Sequence, residues 1–440
     1  MDGGKLNVQL PEAFLNRIRQ QLGDEFPLYL KSIGEKSLRG VRINPYKRPP
    51  DSFFTETEGL VSWASEAFYL KYESKAGTTV AHEAGAFYLQ EPSAMIPASV
   101  MNARPGEKIL DLCAAPGGKS TQMAADMKGE GLLVCNEPVA KRAVVLSRNI
   151  ERMGIPNAVV TNAWPEKLAE KWPDGFDGVL VDAPCSGEGM FRRHPETRSE
   201  WSPEKASGCA GRQTEILEAA AGLVRAGGRI VYSTCTMNPE ENEVIIKHFT
   251  EKHPEFVREA FQINGKKYSD GMMTCWPHRE KGEGQFAALL RRQGTGTAKL
   301  QESISIPPIS RNGLSEYCRY AVTDTLPTHR IGGLYICMGN LPELAGIRFL
   351  RLGLHIGEIR EKHFVPDHAH AIAWKPPQNT IKDITGEEAL KYMRGDTLEG
   401  EEQGWCLIRY QGLVLGWGKG SAGTVKNHYP KGLRSGGLIL

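Results

Sequence analysis

Between residues 86 and 290, short apolar runs alternate with helical patterns, and several runs stop at a residue able to do chemistry. The strand-like runs are 108–112, 131–135, 158–161, 176–181, 229–232 and 286–290. Helical patterns fill the gaps at 120–127, 139–153, 213–223 and 240–249. Apolar runs alternating with helices predict a parallel, doubly wound α/β sheet of Rossmann-like type. Such sheets bind ligands at the carboxyl ends of their strands, so the residues that follow the strands are the functional candidates.

The first run leads into Asp111-Leu-Cys-Ala-Ala-Pro-Gly-Gly-Lys-Ser120, a strand end, a glycine turn and a helix start, where backbone comes close to a ligand. The turn lacks both the GxGxxG spacing of a dinucleotide site and the GxxxxGK[ST] of a phosphate loop, so a ligand other than a pyrophosphate is expected. Glu137 closes the second run, where an acid accepts the ribose hydroxyls of an adenosine; on its own it reads equally well as a surface acid. Asp182 closes the fourth, where a carboxylate meets a cation or a base edge. An adenosine, no phosphate and a positive sulfonium describe S-adenosylmethionine, the expected cofactor.

Asp182-Ala-Pro-Cys185 and Ser233-Thr-Cys235 each end an apolar run, which brings two thiols to the mouth of one sheet. A single cysteine after a strand is more often a small buried hydrophobe. Two in such settings point to covalent chemistry on a pyrimidine, whose C5 is a poor nucleophile until a thiolate adds to C6. The adduct must then lose its C5 proton and expel the thiol, a step served by a second acid or base. Spacing does not choose the attacker, because in DNA cytosine methyltransferases it is the Pro-Cys thiol. Cys113, Cys135 and the remaining cysteines are read as structural.

Nine cysteines without a CxxC pair exclude a disulfide framework and a structural zinc site, and no metal is expected. The opening Met1-Asp-Gly-Gly-Lys-Leu-Asn7 lacks the apolar core of a secretion signal, and no stretch approaches the ~20 apolar residues of a membrane span. A soluble cytoplasmic protein is expected. The net charge of +2 is nearly balanced, so any nucleic-acid surface has to be a local patch.

Four parts are expected: an N-terminal extension (1–85), a catalytic domain (86–295), a connecting subdomain (296–375) and a strand-rich module (376–440). The extension holds a helical element from Leu10 to Ile33 and a short strand and turn at 40–45. Lys47-Arg-Pro-Pro50 reads as a solvated linker, with phosphate contact as the alternative. Gln293-Gly-Thr-Gly-Thr-Ala-Lys299 reads as a linker too. Phe191-Arg-Arg-His194 offers stacking and phosphate contacts, or is a plain surface loop. Gly416-Trp-Gly-Lys419 and Lys426-Asn-His-Tyr-Pro-Lys431 mix basic and aromatic residues in a way that suits RNA or a solvated edge.

On three long motifs, CAAPGGK (113–119), DAPCSGEGMFR (182–192) and YSTCT (232–236), the chain resembles the Nop/Sun family of RNA 5-methylcytosine methyltransferases, most closely its bacterial RsmF-like members. The resemblance spans nearly the whole length. It implies that Cys113, Ala114, Ala115, Pro116, Gly117, Gly118, Lys119, Glu137 and Asp182 bind S-adenosylmethionine, that Cys235 is the nucleophile, and that Cys185 assists product release. It also implies that Lys119 and Asp182 touch the target base; plain solvation at the helix entry is the other reading of Lys119. Many relatives place an acid after the third strand for the adenine amino group, whereas this chain has Thr161-Asn-Ala-Trp-Pro165. Asn162 can accept the same hydrogen bond through its amide oxygen.

The resemblance further implies a PUA-like RNA-binding module at the C-terminus and an RNA-facing N-terminal extension. The expected reaction is methylation of cytidine C5 in ribosomal RNA, with 16S rRNA or an assembling small subunit as partner and a monomeric enzyme. A base buried in a duplex stack has to be flipped or single-stranded to be reached. The alternatives are C5-uridine methylation and a non-catalytic RNA-binding assembly factor. An amino-group methyltransferase calls for an Asp/Asn-Pro-Pro-aromatic motif, which Asp182-Ala-Pro-Cys185 does not supply.

Overall fold

The computed structural model describes residues 9–339 and 341–440, so the Met1–Asn7 opening lies outside the described residues. A nine-stranded sheet forms the centre. Its strands are β1 (Lys108–Asp111), β2 (Leu132–Asn136), β3 (Ala158–Thr161), β4 (Phe176–Asp182), β5 (Val224–Thr234), β6 (Phe256–Arg258), β7 (Met272–Cys275), β8 (Gln285–Arg292) and β9 (Phe349–Leu352). They lie in the order β6-β8-β5-β4-β1-β2-β3-β9, with β7 also on β8.

β1 to β5 are parallel, and β1 sits between β2 and β4. The strand order reverses at β1, so the carboxyl ends of β1, β2 and β4 open a crevice there. Neighbours in each strand feed opposite cores. Leu110, Leu132, Val134 and Val179 join one apolar cluster, while Ile109, Leu133, Cys135 and Leu180 join the other. Both faces are covered, which explains runs of apolar residues without alternation.

The sheet departs from the all-parallel expectation at its edges. β8, the run at 286–290, is antiparallel to β5, and β9 is antiparallel to β3. β9 begins fifty residues past the 293–299 linker.

The N-terminal helical element is two helices, Glu12–Leu22 and Phe26–Gly34, followed by an antiparallel sheet of Gly40–Ile43, Thr57–Leu60, Ala67–Leu70 and Phe87–Gln90. The helices bury Phe14, Ile18, Phe26 and Tyr29 against Phe191, Trp201, Met237 and Trp276. They therefore brace the loops that follow Cys185 and Cys235. Lys47 is neither a linker residue nor a phosphate contact. Its ammonium donates to the carbonyls of Ala84 (3.2 Å) and Arg152 (2.9 Å), the latter ending the helix Ala140–Arg152, where a cation is favoured. Burial pushes that ammonium down to about 7.

Beyond the central sheet, His329–Ile331, Leu334–Cys337, Leu354–Arg360 and His363–Pro366 form a four-stranded antiparallel sheet. A five-stranded sheet built on Gly404–Tyr410 and Leu413–Ser421 follows. Among the described residues no helix is long and apolar enough to cross a membrane.

Candidate active site

The glycine turn links β1 to the helix Gly118–Met127, and its Ala115–Pro116 bond is cis. Gly117 has φ +111°, a conformation that favours glycine. A Cβ on Gly118 would come within 3.1 Å of the Gln90 amide and 3.3 Å of the Tyr88 ring, so the N-terminal sheet lies directly on the turn. Buried Arg42 fixes that contact: it donates to the Gly118 carbonyl and the Thr121 hydroxyl (2.7 Å each) and to Gln90 (2.9 Å). Nothing in the sequence around Arg42 marks it for this role.

β4 and β5 carry the thiols. Asp182 pairs directly with Ser233, so Cys185 and Cys235 leave the sheet from the same rung, and their sulfurs lie 3.1 Å apart. The Cys185 thiol is pushed well above its ordinary value, first by its hydrogen bond to Cys235, then by burial, and then by the charges of Cys235 and Glu241. The two sulfurs share one hydrogen bond in which either thiol can be the donor.

Beside the thiols, Asp182 accepts from Lys119 Nζ at 2.7 Å and from the Ser233 hydroxyl at 2.8 Å. Burial opposes the Lys119 charge, but Asp182, with Asp111 and Cys235 behind it, outweighs burial and lifts the ammonium above its ordinary value. A carboxylate and an ammonium so paired can offer an acceptor and a donor to one polar base edge.

A cavity of about 210 Å³ opens between the turn and the N-terminal sheet. Asp111, Cys113 to Pro116, Gly118, Lys119 and Asp182 line it from the catalytic side, and Tyr88 to Glu91, with Arg193, face them. Asp111 is the telling group. It is buried, one oxygen accepts from Ser120 (2.6 Å), the other has no partner, and burial pushes the carboxyl up to about 7. An unpartnered buried acid wants a cation or a donor. S-adenosylmethionine carries both an ammonium and a sulfonium, and the residues present fit it.

Other expected contacts lie apart from this cavity. Glu137 is buried, accepts from the Val139 N–H (2.9 Å) and meets Arg142 (3.3 Å). Arg142 in turn donates to the Ala115 carbonyl (2.9 Å), which ties Glu137 to the turn. Asn162 donates its amide nitrogen to the carbonyls of Glu137 and Pro138 (2.8 Å each), which leaves its oxygen for a ligand. Cys113, which lines the cavity, has a thiol raised by burial and the surrounding carboxylates.

Two expected RNA contacts are corrected. Phe191 is buried against Phe14 with ring centroids 5.0 Å apart, and Arg192 is buried in an ion pair with Glu283 at 2.6 Å, so neither faces a nucleic acid. Arg193 and His194 are exposed. In the C-terminal module Trp417 and Tyr429 are core residues, whereas Lys419, Lys426 and His428 are exposed and Lys419 lies over the Trp405 ring at 5.3 Å.

The profile of the family described as 16S rRNA methyltransferase RsmB/F matches residues 98–291. Three further profiles match: the N-terminal domain of 16S rRNA methyltransferase RsmF (10–92), the RsmF first C-terminal domain (318–374) and the methyltransferase RsmF PUA domain (380–435). The ribosomal RNA small subunit methyltransferase F of Vibrio vulnificus is 32% identical, covering 97% of this chain and 98% of its own. That of Shigella dysenteriae is 30% identical over 98% of both. Among solved structures, a methyltransferase homolog protein from Pyrococcus horikoshii superposes with a TM-score of 0.57 at 25% identity, over 65% of this chain and 97% of that one. With a switch-point crevice, a glycine turn, paired thiols and end-to-end similarity, the chain belongs to the RsmB/F family of 16S rRNA methyltransferases, with the N-terminal, connecting and PUA domains of the RsmF type.

Proposed function

We propose that this protein methylates C5 of a cytidine in 16S rRNA through a covalent adduct between Cys235 and C6 of the base. The observation that carries the reading is the 3.1 Å thiol pair set beside Lys119 and Asp182 at the ends of adjacent parallel strands. The methyl donor is S-adenosylmethionine, which supplies the methyl group to the activated carbon. The turn from Cys113 to Lys119, with Glu137, Asn162 and Asp182, would hold it.

Lys119 and Asp182 grip the polar edge of the flipped base, and the ionised Cys235 adds to C6. The electron pair displaced from the C5–C6 double bond makes C5 nucleophilic. Once Cys235 is a thioether, the hydrogen bond it shared with Cys185 is gone, so Cys185 can release its proton to solvent. The Cys185 thiolate then takes the C5 proton; the C5–H pair re-forms the double bond and expels Cys235 as a thiolate. In this reading the chain divides near residues 85, 295 and 375, and the flanking parts hold the RNA as a monomeric, cytoplasmic enzyme does.

Bisulfite sequencing of 16S rRNA from cells with and without the gene tests the base and its position: one cytidine or more should lose protection with the gene. An unchanged pattern, or a modified uridine found by mass spectrometry, refutes the base assignment.

A further inference from the structure

One buried carboxylate outside the cavity joins the two thiol loops. Glu241 is fully buried and follows the Cys235 loop. Its carboxylate accepts the backbone N–H of Ser186, the residue after Cys185, at 2.8 Å, and the Ser186 hydroxyl as well. Gln213 donates to it at 3.0 Å and, through the same amide nitrogen, to the Pro184 carbonyl before Cys185. On the other side, the Ser186 hydroxyl reaches Thr236 (3.1 Å), the residue after Cys235, and Tyr232 donates to the Glu241 carbonyl (2.6 Å). Ser186, beside Cys185, thus hangs on the Glu241 side chain, and its hydroxyl carries the link on to Thr236 beside Cys235.

We propose that Glu241 is the positioning residue of the thiol pair: its carboxylate clamps the Cys185 loop against the Cys235 loop and is the buried charge that Cys185 faces. The proposal rests on the thiol roles given above. A buried negative charge held by hydrogen bonds disfavours a second anion nearby, so the thiolate it faces stays a strong base. The hydrogen bond between the sulfurs acts most strongly on Cys185, then burial, then the charges of Cys235 and Glu241. Among the described residues, the other titratable groups around the pair include Lys119, which feels Cys235, Tyr232, which feels Cys185 and Glu241, buried Glu188, which feels Glu241, and Cys209 on the helix Pro203–Leu223.

The test uses the full-length chain with Cys235→Ala as background, which removes the coupled thiol. Iodoacetamide labelling of Cys185 is followed against pH by peptide mass spectrometry, with and without Glu241→Gln. Glu241→Gln should lower the labelling midpoint by about one pH unit, a tenfold change in acidity. An unmoved midpoint overturns the proposal. With both thiols native, Glu241→Gln should also raise the denaturant-stable protein–RNA complex several-fold toward the level of Cys185→Ala. A moved midpoint without that rise overturns the link to release. If Cys185→Ala itself traps no RNA, the thiol roles fall, while the labelling midpoint still decides the influence of Glu241. Should Glu241→Gln not fold, Ser186→Ala keeps the charge and removes one strut; it should accumulate complex without a pH shift, and native release from it overturns the clamp.

Discussion

The ends of β4 and β5 and the strands around Trp417 both carry short motifs that look functional, yet the first stretch sets two thiols together near Asp182, which lines the cavity, and the second sends half of its side chains into a core. The cause is geometric. A residue just past the end of a parallel strand has left the ladder at the mouth of the crevice. Inside an antiparallel strand residues two apart share a face, so Trp417 and Lys419 point the same way, and what parts them is the helix His368–Ala371, which packs with Trp417 and leaves Lys419 uncovered. Trp417 and Tyr429 are buried, while Lys419 and Lys426 pair across adjacent strands on the outside. The same parting occurs between Arg192 and Arg193.

The largest expected effect tests the strand ends. Cys235→Ala should lower methyl transfer from labelled donor to rRNA by at least about a thousandfold with little change in melting temperature; a variant within tenfold of native breaks the comparison. Trp417→Ala, by contrast, should cost about 3–5 kcal/mol in denaturant unfolding, as a large core ring does. A cost near zero would return Trp417 to the surface and to RNA. Arg192→Ala belongs beside it: stripping the partner from buried Glu283 should cost about 3–5 kcal/mol, whereas Arg193→Ala should leave unfolding within about 0.5 kcal/mol.

Asp111 gives a smaller, pH-dependent effect. Its carboxyl is raised from 3.8 to about 7 in the folded protein, so between about pH 4 and 7 the folded state binds more protons than the unfolded one. Without methyl donor, stability from this group is full below pH 4, falls as pH rises and is lost above 7. Melting curves across that range should show the slope, and Asp111→Asn should flatten it; S-adenosylmethionine should stabilise the native protein more at pH 8 than at pH 5. Smallest of all, Lys426→Ala should weaken RNA binding a few-fold, lower the salt dependence by about one phosphate contact, and leave stability unchanged.

Much of the catalytic sheet was legible because parallel strands covered on both faces need apolar cores, and 109–110, 132–135, 158–160 and 179–181 are such cores. β6, β7 and β9 were not, being three or four residues long and mixed in character. Direction was hidden as well: nothing in the apolar run at 286–290 says that β8 enters antiparallel. Within the site, Cys185, Cys235, Lys119 and Asp182 sit in motifs, but Arg42, between Val41 and Ile43, and Glu241 carry no motif. Their roles depend on partners far along the chain, Gly118 for one and Ser186 for the other. Asn-Pro-Glu-Glu-Asn242 straight after a buried strand was the one available hint, since so many side-chain acceptors beside a turn tend to bind backbone.

β9 has a consequence for how the protein comes into being. The outer edge of Ala158–Thr161 is sealed by residues synthesised nearly two hundred positions later. Until the ribosome has released that stretch, the nascent methyltransferase half shows an open row of amide and carbonyl groups to its surroundings, a template for pairing with other chains. A gene cut at the 293–299 linker should therefore yield a sticky half-protein, and restoring 341–374 as a separate peptide should bring it back into solution.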